Sequence, residues 1–330
     1  MTTAIGDPTA VAMTLAGIAY GDPAAIPRYL DEAALTRDDW SVVWLAAPPD
    51  PPANFAYLAR SATTGAYALA IRGTYPNPFA PAYWDDGDED SPFGDMVDWP
   101  GAPGARIGGG TAKGLGRLLA LADAGGTTLE AAVAGLPPDA PLTVTGHSLG
   151  GTLAPVLALR LTETFPGRAI AVTSFAGMTP GNAAFADLFG PGSHLDGRVR
   201  RVFNTLDTVA YGWDRVYETH TFYNPAPKGG VLVSAMLLAS AARLALGGYG
   251  YTPVGTPVSL PGVLRPIAIS CELIAYVFEN LHQHLPDTYL ELLGAPPLPF
   301  AIVYGSIVLP RKHPNGVEPI TARPPTVYIG

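Results

Sequence analysis

Ser148 is the residue whose surroundings most clearly predict chemistry. It lies in the segment Gly146-His147-Ser148-Leu149-Gly150, which follows a short β-branched run and precedes an apolar helical pattern. Such a strand-to-helix turn exposes the serine hydroxyl and directs the first free amides of the helix toward the same point. The flanking glycines indicate a turn with no room for a β-carbon. The segment therefore predicts a nucleophilic serine, with the amide of Leu149 as half of an oxyanion hole.

A nucleophilic serine needs a base, and the base needs a carboxylate that orients it. In the strand–turn–helix arrangement that is typical of α/β-hydrolases, the acid follows the serine along the chain and the histidine comes last. The run 199–204 predicts a strand, and Asp207 lies in the loop at its carboxyl end, where functional loops of a parallel sheet gather. Asp207 is therefore the predicted acid, and Asp214 is the alternative.

Six histidines are candidates for the base. His147 is next to the serine but is expected to point away from it, while His194 precedes the acid and His220 follows it closely. His282 and His284 come at the end of a predicted helix. Residues two apart face nearly opposite sides of a helix, so only one of this pair can reach the serine. The spacing alone leaves both open.

The wider pattern predicts the elements that must position these residues. Short apolar strands alternate with helical stretches, which predicts an α/β-hydrolase fold with a mostly parallel central sheet flanked by helices, and with cap and lid insertions. The 330 residues are expected to form a single domain. Its additions are an N-terminal helical extension (1–40), a lid-like loop (75–99), a cap-like insertion (212–266) and a C-terminal extension (295–330).

Composition excludes several classes of protein. The 28 acidic residues outnumber the 19 basic ones, giving a net charge of −9, so nucleic acid is not an expected partner. The first residues contain no Sec-type signal, which predicts a soluble protein that is cytoplasmic or secreted without a cleaved signal. The apolar block 231–246 contains Arg243 and is expected to be too short to span a bilayer. Cys271 is expected to be a buried thiol.

Five separate stretches resemble the class 3 lipases, the fungal-lipase-like branch of the α/β-hydrolases. They are 70–74, 144–151, 175–182, 204–207 and 284–289, so the resemblance covers about residues 65–295. The resemblance implies Thr74 as a second oxyanion donor beside Leu149. It also favours His284 over His282, because the family's base stands before a Thr-Tyr pair. The implied catalytic set, with Asp207 as the acid, is Ser148, Asp207 and His284.

The resemblance implies an enzyme that hydrolyses carboxylic esters through an acyl-enzyme, with no cofactor and no metal ion. Its expected substrates are acylglycerols or medium-chain lipid esters. A short-chain carboxylesterase or an acyltransferase that uses the same three residues is the first alternative. A lipid-binding protein without turnover is the second. The oligomeric state is left open.

Two segments depart from the family pattern. The stretch between acid and base is longer than in compact family members and includes the block 231–246. This block is expected to cover a hydrophobic cleft; the alternative is that it makes a weak lipid contact. The loop 75–99 carries aromatic residues and an acidic run, 85–90. This run is interpreted as a solvated face, with Ca²⁺ binding as the alternative. We therefore expect at most a modest rise in activity on emulsions.

Overall fold

A seven-stranded sheet lies at the centre of the described structure. The computed structural model describes residues 6–48, 54–74, 89, 91–224, 226–265, 270–304, 307–308, 312–313 and 316–317. The strands, in their order across the sheet, are β1 (Trp40–Leu45), β2 (Ala56–Ser61), β3 (Tyr67–Ile71), β4 (Leu142–His147), β5 (Ile170–Phe175), β6 (Val199–Asn204) and β7 (Thr256–Leu260). The first three strands pair antiparallel, and β3 to β7 pair parallel. The predicted mostly parallel sheet is therefore present.

Helices flank this sheet. They are α1 (Pro8–Ile18), α2 (Ile26–Glu32), α3 (Gly109–Ala120), α4 (Leu129–Ala134), α5 (Leu149–Thr164), α6 (Ala183–Ala186), α7 (Gly230–Gly247), α8 (Glu272–His284) and α9 (Pro286–Leu292). Both α1 and α5 pack against β3, β4 and β5. The side chains of β3 are all buried, and those of β4 almost all, as expected for strands of a sheet covered on both faces.

Short elements complete the described fold. The 3-10 helices are Pro23–Ala25, Asp187–Phe189, Val209–Tyr211 and Val216–Thr221. A small antiparallel sheet consists, in spatial order, of Tyr251–Thr252, Gly181–Asn182, Arg106–Ile107 and Val97–Asp98. Near the C-terminus, Val303–Tyr304 pairs with Ile307–Val308, and Lys312–His313 pairs with Gly316–Val317.

The N-terminal helices are part of the main core. Met13 and Leu15 of α1 are fully buried. The Tyr57 hydroxyl of β2 donates a hydrogen bond of 2.8 Å to the Leu15 carbonyl, and the Thr145 hydroxyl of β4 donates one of 3.2 Å to the Ala12 carbonyl. Helices were predicted here as an extension covering residues 1–40, but α1 is a layer that covers the sheet.

The C-terminal segment also reaches this core. Leu298 and Phe300 are buried, and the Phe300 ring centroid lies 4.6 Å from that of Tyr29 in α2. The Leu298 amide donates a 2.9 Å hydrogen bond to Asp287 at the start of α9. The first residues of the predicted extension 295–330 therefore pack on the body, and most residues after 304 lie outside the described part.

The segment 212–266 is not only a cap. Within it, β7 pairs parallel with β6 and forms one edge of the central sheet. The cap-like interpretation missed this strand because Pro257 argues against a strand in the middle of a sheet. An edge strand tolerates proline, since only one of its sides is hydrogen-bonded.

Helix α7, in the same segment, is mostly exposed. Leu244 is its one buried residue, while Val231 and Leu246 are 88% and 89% exposed. The expectation that this block covers a hydrophobic cleft is therefore wrong for most of its side chains. Helix α7 extends one residue beyond each end of the block, to Gly230 and Gly247. By length and composition alone, it is long and apolar enough to cross a bilayer. The expectation that it is too short is wrong as well.

Two further expectations from the sequence are wrong at the residues that the structure describes. Glu89, from the acidic run 85–90, is buried and lies 2.7 Å from Arg117, so it is not part of a solvated face. The rest of this run and residues 75–84 of the lid-like loop lie outside the described residues. Cys271 is exposed, because α8 begins only at Glu272 and leaves the cysteine before the helix.

Candidate active site

The turn between β4 and α5 places Ser148 in a conformation that few side chains adopt. Its φ is 60° and its ψ is −128°, and its amide donates a 3.0 Å hydrogen bond to the Phe175 carbonyl of β5. A β-carbon on Gly146 would overlap the backbone of Gly150, and one on Gly150 would overlap the carbonyl of Ile71. Both glycines are therefore required for the strand, the turn and the helix to approach this closely.

The end of β3 lies beside this turn. Ile71 is paired with Gly146 across the two strands, so the chain that leaves β3 passes over the start of α5. A β-carbon on Gly73 would overlap the His147 carbonyl, and Thr74 follows directly. Leu149 is the first residue of α5, where an amide has no acceptor within the helix. The amides of Thr74 and Leu149 stay the predicted oxyanion donors.

The three predicted catalytic side chains form one chain of hydrogen bonds. His284 Nε2 lies 2.8 Å from Ser148 Oγ, and His284 Nδ1 lies 2.8 Å from Asp207 Oδ2. With the ring hydrogen on Nδ1, the imidazole donates to the carboxylate and accepts from the serine hydroxyl. Asp207 is fully buried and Ser148 is 7% exposed, whereas 21% of the His284 side chain is exposed. His284 is therefore the most solvent-exposed of the three side chains.

Asp207 receives further donors that fix its orientation. The Val209 amide donates a 3.0 Å hydrogen bond to Oδ1, and the Tyr289 hydroxyl of α9 donates one of 2.7 Å to Oδ2. The same hydroxyl accepts a 3.0 Å hydrogen bond from the Asn204 amide at the end of β6. Burial, together with the Asp207 charge, raises the pKa of Tyr289 well above its ordinary value. Tyr289 therefore stays protonated and donates.

A buried amide network holds the last turn of α8, which carries His284. Asn204 Nδ2 donates to Gln283 Oε1 at 2.7 Å and to the Gln283 carbonyl at 2.8 Å. Gln283 Nε2 in turn donates to Glu279 at 2.7 Å. These side chains attach the helix to the end of β6, so the acid and the base are positioned by the same strand. Reasoning from sequence missed Asn204 and Gln283, since their roles depend on a contact between distant segments.

His147 is closer to the reacting groups than its expected orientation implied. Its ring centroid lies 4.7 Å from that of His284, and its Nδ1 lies 2.9 Å from the Tyr20 hydroxyl. Burial, and then the proximity of His284, lower the pKa of His147 well below its ordinary value. His147 is therefore a neutral support for the His284 ring.

The alternative site residues lie elsewhere. Asp214 is 3.3 Å from Arg215, and burial raises the pKa of its carboxyl. His282 is buried, and its carbonyl accepts a hydrogen bond from the Thr288 hydroxyl. His220 stacks on Tyr217, with ring centroids 4.4 Å apart. Asp207 and His284 are thus the acid and the histidine that the described structure connects to Ser148.

Comparisons with known proteins show what this chain resembles in sequence and in fold. Residues 104–211 match the sequence profile of the family described as lipase (class 3). Curated protein sequences give no match. M37 lipase has a similar solved structure, with a TM-score of 0.70 and 24% identity over 87% of this chain and 92% of that chain. This likeness confirms the predicted α/β-hydrolase fold.

Two fungal structures are more distant. A triacylglycerol lipase from Penicillium expansum is 18% identical with a TM-score of 0.49, covering 76% of this chain and 77% of that chain. A lipase from Rhizopus microsporus var. chinensis is 19% identical with a TM-score of 0.45, covering 62% of this chain and 67% of that chain.

The elbow geometry predicts that Gly150→Ala destabilises the protein. The new β-carbon overlaps backbone carbonyls of the segment after β3, which cannot move without opening the sheet, so we expect a loss of about 1–3 kcal/mol or more and loss of esterase activity. Gly116→Ala is the matched control, because residue 116 lies in α3 with open space around it, and its stability should change by less than about 1 kcal/mol. Thermal denaturation measures both. Equal stability and activity of the two variants would contradict the described turn.

Tyr20 positions the segment between β3 and the predicted oxyanion donor Thr74, because its hydroxyl lies against both Gly73 and the His147 ring. We expect Tyr20→Phe to lower kcat by about 2- to 10-fold, the range of one net hydrogen bond, with little change in KM. Tyr57→Phe removes an equally buried hydroxyl, which is bonded to Leu15 in α1. It should reduce thermal stability to a similar extent while leaving kcat unchanged. A similar kcat for both variants would contradict a positioning role for Tyr20.

Proposed function

Since residues 104–211 match the sequence profile of the class 3 lipases, we propose that this chain is a serine hydrolase of carboxylic esters. The observation that carries the proposal is the hydrogen-bonded chain from Ser148 through His284 to Asp207, with 2.8 Å at each step. A strained turn presents the serine, and a fully buried carboxylate supports the histidine. This is the geometry that a base-activated serine needs.

The proposed reaction proceeds through an acyl-enzyme. His284 Nε2 takes the hydroxyl proton as Ser148 Oγ attacks the ester carbonyl carbon, and Asp207 stabilises the imidazolium that forms. The amides of Leu149 and Thr74 donate to the developing oxyanion, with the Thr74 hydroxyl as a third donor. The imidazolium then returns its proton to the leaving alkoxide. Water, activated by the same histidine, releases the acid and regenerates the serine.

The proposed substrates are lipid esters, with acylglycerols and medium-chain esters as the preferred class. The solved structure of M37 lipase is similar over most of this chain. The helix that ends at His284 also exposes Leu273, Ile274 and Val277 in its first turns. Such side chains favour an apolar acyl group over a charged one.

The triad assignment predicts the behaviour of three variants. Ser148→Ala, His284→Ala and Asp207→Asn should each lower kcat by at least about 10³-fold while the protein stays folded, because each removes a member of one proton-transfer unit. His282→Ala and Asp214→Asn are the controls and should lose less than about tenfold. Circular dichroism verifies folding, and a fluorophosphonate probe should label the wild type but not Ser148→Ala. Near-wild-type hydrolysis by Ser148→Ala would exclude the mechanism.

Chain-length preference separates a lipid esterase from the short-chain alternative. We expect kcat/KM for p-nitrophenyl esters to rise from acetyl to octanoyl, because each buried methylene contributes up to about 0.8 kcal/mol. Hydrolysis by Ser148→Ala gives the background rate. A maximum at acetyl would favour a short-chain carboxylesterase, and product formed from an added alcohol in preference to water would favour an acyltransferase.

A further inference from the structure

A cavity of about 530 Å³ lies between α1 and the central sheet. Val11, Ala12 and Leu15 of α1 form its roof, and Leu35 and Trp40 form part of its wall. Packed protein interiors rarely leave voids larger than a water molecule, whereas small-molecule sites typically enclose about 300–1,000 Å³. The volume of this cavity is therefore that of a small-molecule site.

Small side chains on the sheet leave this space open. The Thr145 side chain faces α1, because its hydroxyl donates a 3.2 Å hydrogen bond to the Ala12 carbonyl. Thr143 lies two residues earlier and therefore on the same face of β4. Ala68 of β3 is paired with Thr143, so its side chain is on this face as well, and both residues line the cavity. Larger aliphatic side chains at these two positions would fill the space under the helix.

The cavity lies toward the opposite end of the strands from the candidate active site. Ala68 and Thr143 are each the second residue of their strand, whereas Ser148 follows the last residue of β4. At about 3.3 Å per residue, Thr143 is roughly 13 Å along the strand from His147. None of the three triad side chains lines the cavity. A molecule bound here therefore does not occupy the place of the ester.

One end of the cavity is polar. Asp39 lines this end together with Ser61, and Thr63 and Thr64 belong to the turn between β2 and β3. The Ser61 hydroxyl lies 3.0 Å from both oxygens of Asp39, and the Thr63 amide donates a 2.8 Å hydrogen bond to Oδ1. The Thr64 hydroxyl donates one of 2.9 Å to Ser61. Thr63 and Thr64 are exposed, so the cavity meets solvent at this end.

Asp39 gives the polar end a negative charge. Burial opposes its ionisation, but hydrogen bonds from Thr63 and Ser61 outweigh burial and lower the pKa of Asp39. The described residues that line the cavity include no lysine, arginine or histidine. A ligand carboxylate would bring a second negative charge to Asp39 without a cation to compensate it.

An uncharged hydroxyl group suits the polar end better. A hydroxyl both donates and accepts hydrogen bonds, as the threonine and serine side chains here also do. Because Asp39 already accepts hydrogen bonds from the neutral donors Ser61 and Thr63, it does not require a cationic partner. The chemistry of the lining therefore favours an apolar chain that ends in an alcohol.

We propose that this cavity binds an uncharged amphiphile, an alkyl chain with a hydroxyl head group, in preference to fatty-acid anions. The alkyl chain lies between α1 and the small side chains of β3 and β4, and the hydroxyl group meets Ser61, Thr63 and Thr64. The inference goes beyond the proposed function, because binding requires no turnover at Ser148. Hydrolysis of an ester releases an alcohol and an acid, and this cavity distinguishes the two by charge.

Isothermal titration calorimetry of the full chain with octan-1-ol and with octanoate, at neutral pH, tests the proposal. We expect octan-1-ol to bind with a Kd at or below about 1 mM, and octanoate to bind at least about tenfold more weakly. Ala68→Leu should weaken the binding of octan-1-ol by at least about tenfold, because the leucine side chain takes the space of the alkyl chain. Its thermal stability should be retained, since the new side chain enters an open space.

Ala131→Leu is the matched control, because Ala131 is exposed in α4 and is not among the residues that line the cavity. It should bind octan-1-ol as the wild type does. Asp39→Asn removes the charge and keeps the size of the side chain, so the affinity for octanoate should rise toward that for octan-1-ol. Labelling of Ser148 with a fluorophosphonate should leave the affinity for octan-1-ol unchanged.

The proposal is overturned if the wild type does not bind octan-1-ol, if it binds octanoate equally well, or if Ala68→Leu and Ala131→Leu bind octan-1-ol alike. Loss of binding after Ser148 is labelled would place the alcohol in the candidate active site and would also overturn it. Marked destabilisation by Ala68→Leu, but not by Ala131→Leu, would contradict the open space. Absence of esterase activity would contradict the proposed function and leave the calorimetric result standing.

Discussion

The strained turn at Ser148 is the constraint on which the rest of the site depends. A residue with φ of 60° keeps that conformation only when the surrounding backbone allows no other. Here β5 accepts the serine amide, and Gly146 and Gly150 permit contacts between backbones that any side chain would block. The sheet therefore serves the proposed reaction directly, because β3, β4 and β5 must lie side by side before the Ser148 hydroxyl can be exposed at this turn.

The buried carboxylate of Asp207 is the second centre of organisation. It lies where β6, α8 and α9 meet, and it accepts hydrogen bonds from His284, Tyr289 and the Val209 amide. A buried charge is costly unless donors surround it. These donors compensate that cost and also fix the direction of the imidazole. The same contacts that make burial of Asp207 tolerable thus align His284 with Ser148.

The stretch between Asp207 and His284 contains two kinds of structure, although the sequence predicted a single cap-like insertion. Its strand β7 completes the central sheet, while α7 stands away from the core with most of its side chains in solvent. Burial and exposure therefore alternate within one insertion. Arg265, which follows β7, forms an ion pair with Glu291 of α9 and so attaches this end of the stretch to the body.

The sequence by itself determined the elbow, the α/β fold, and Ser148 and Asp207 as the predicted nucleophile and acid, because a strand–turn–helix signal and the ends of strands are local in the chain. Only the tertiary structure decided which histidine faces Ser148, that α1 and β7 belong to the core, and that α7 is exposed. Asn204, Gln283 and Tyr289 also acquire their positions there. Burial and hydrogen bonds between distant segments depend on which elements pack together, and no local pattern specifies that choice.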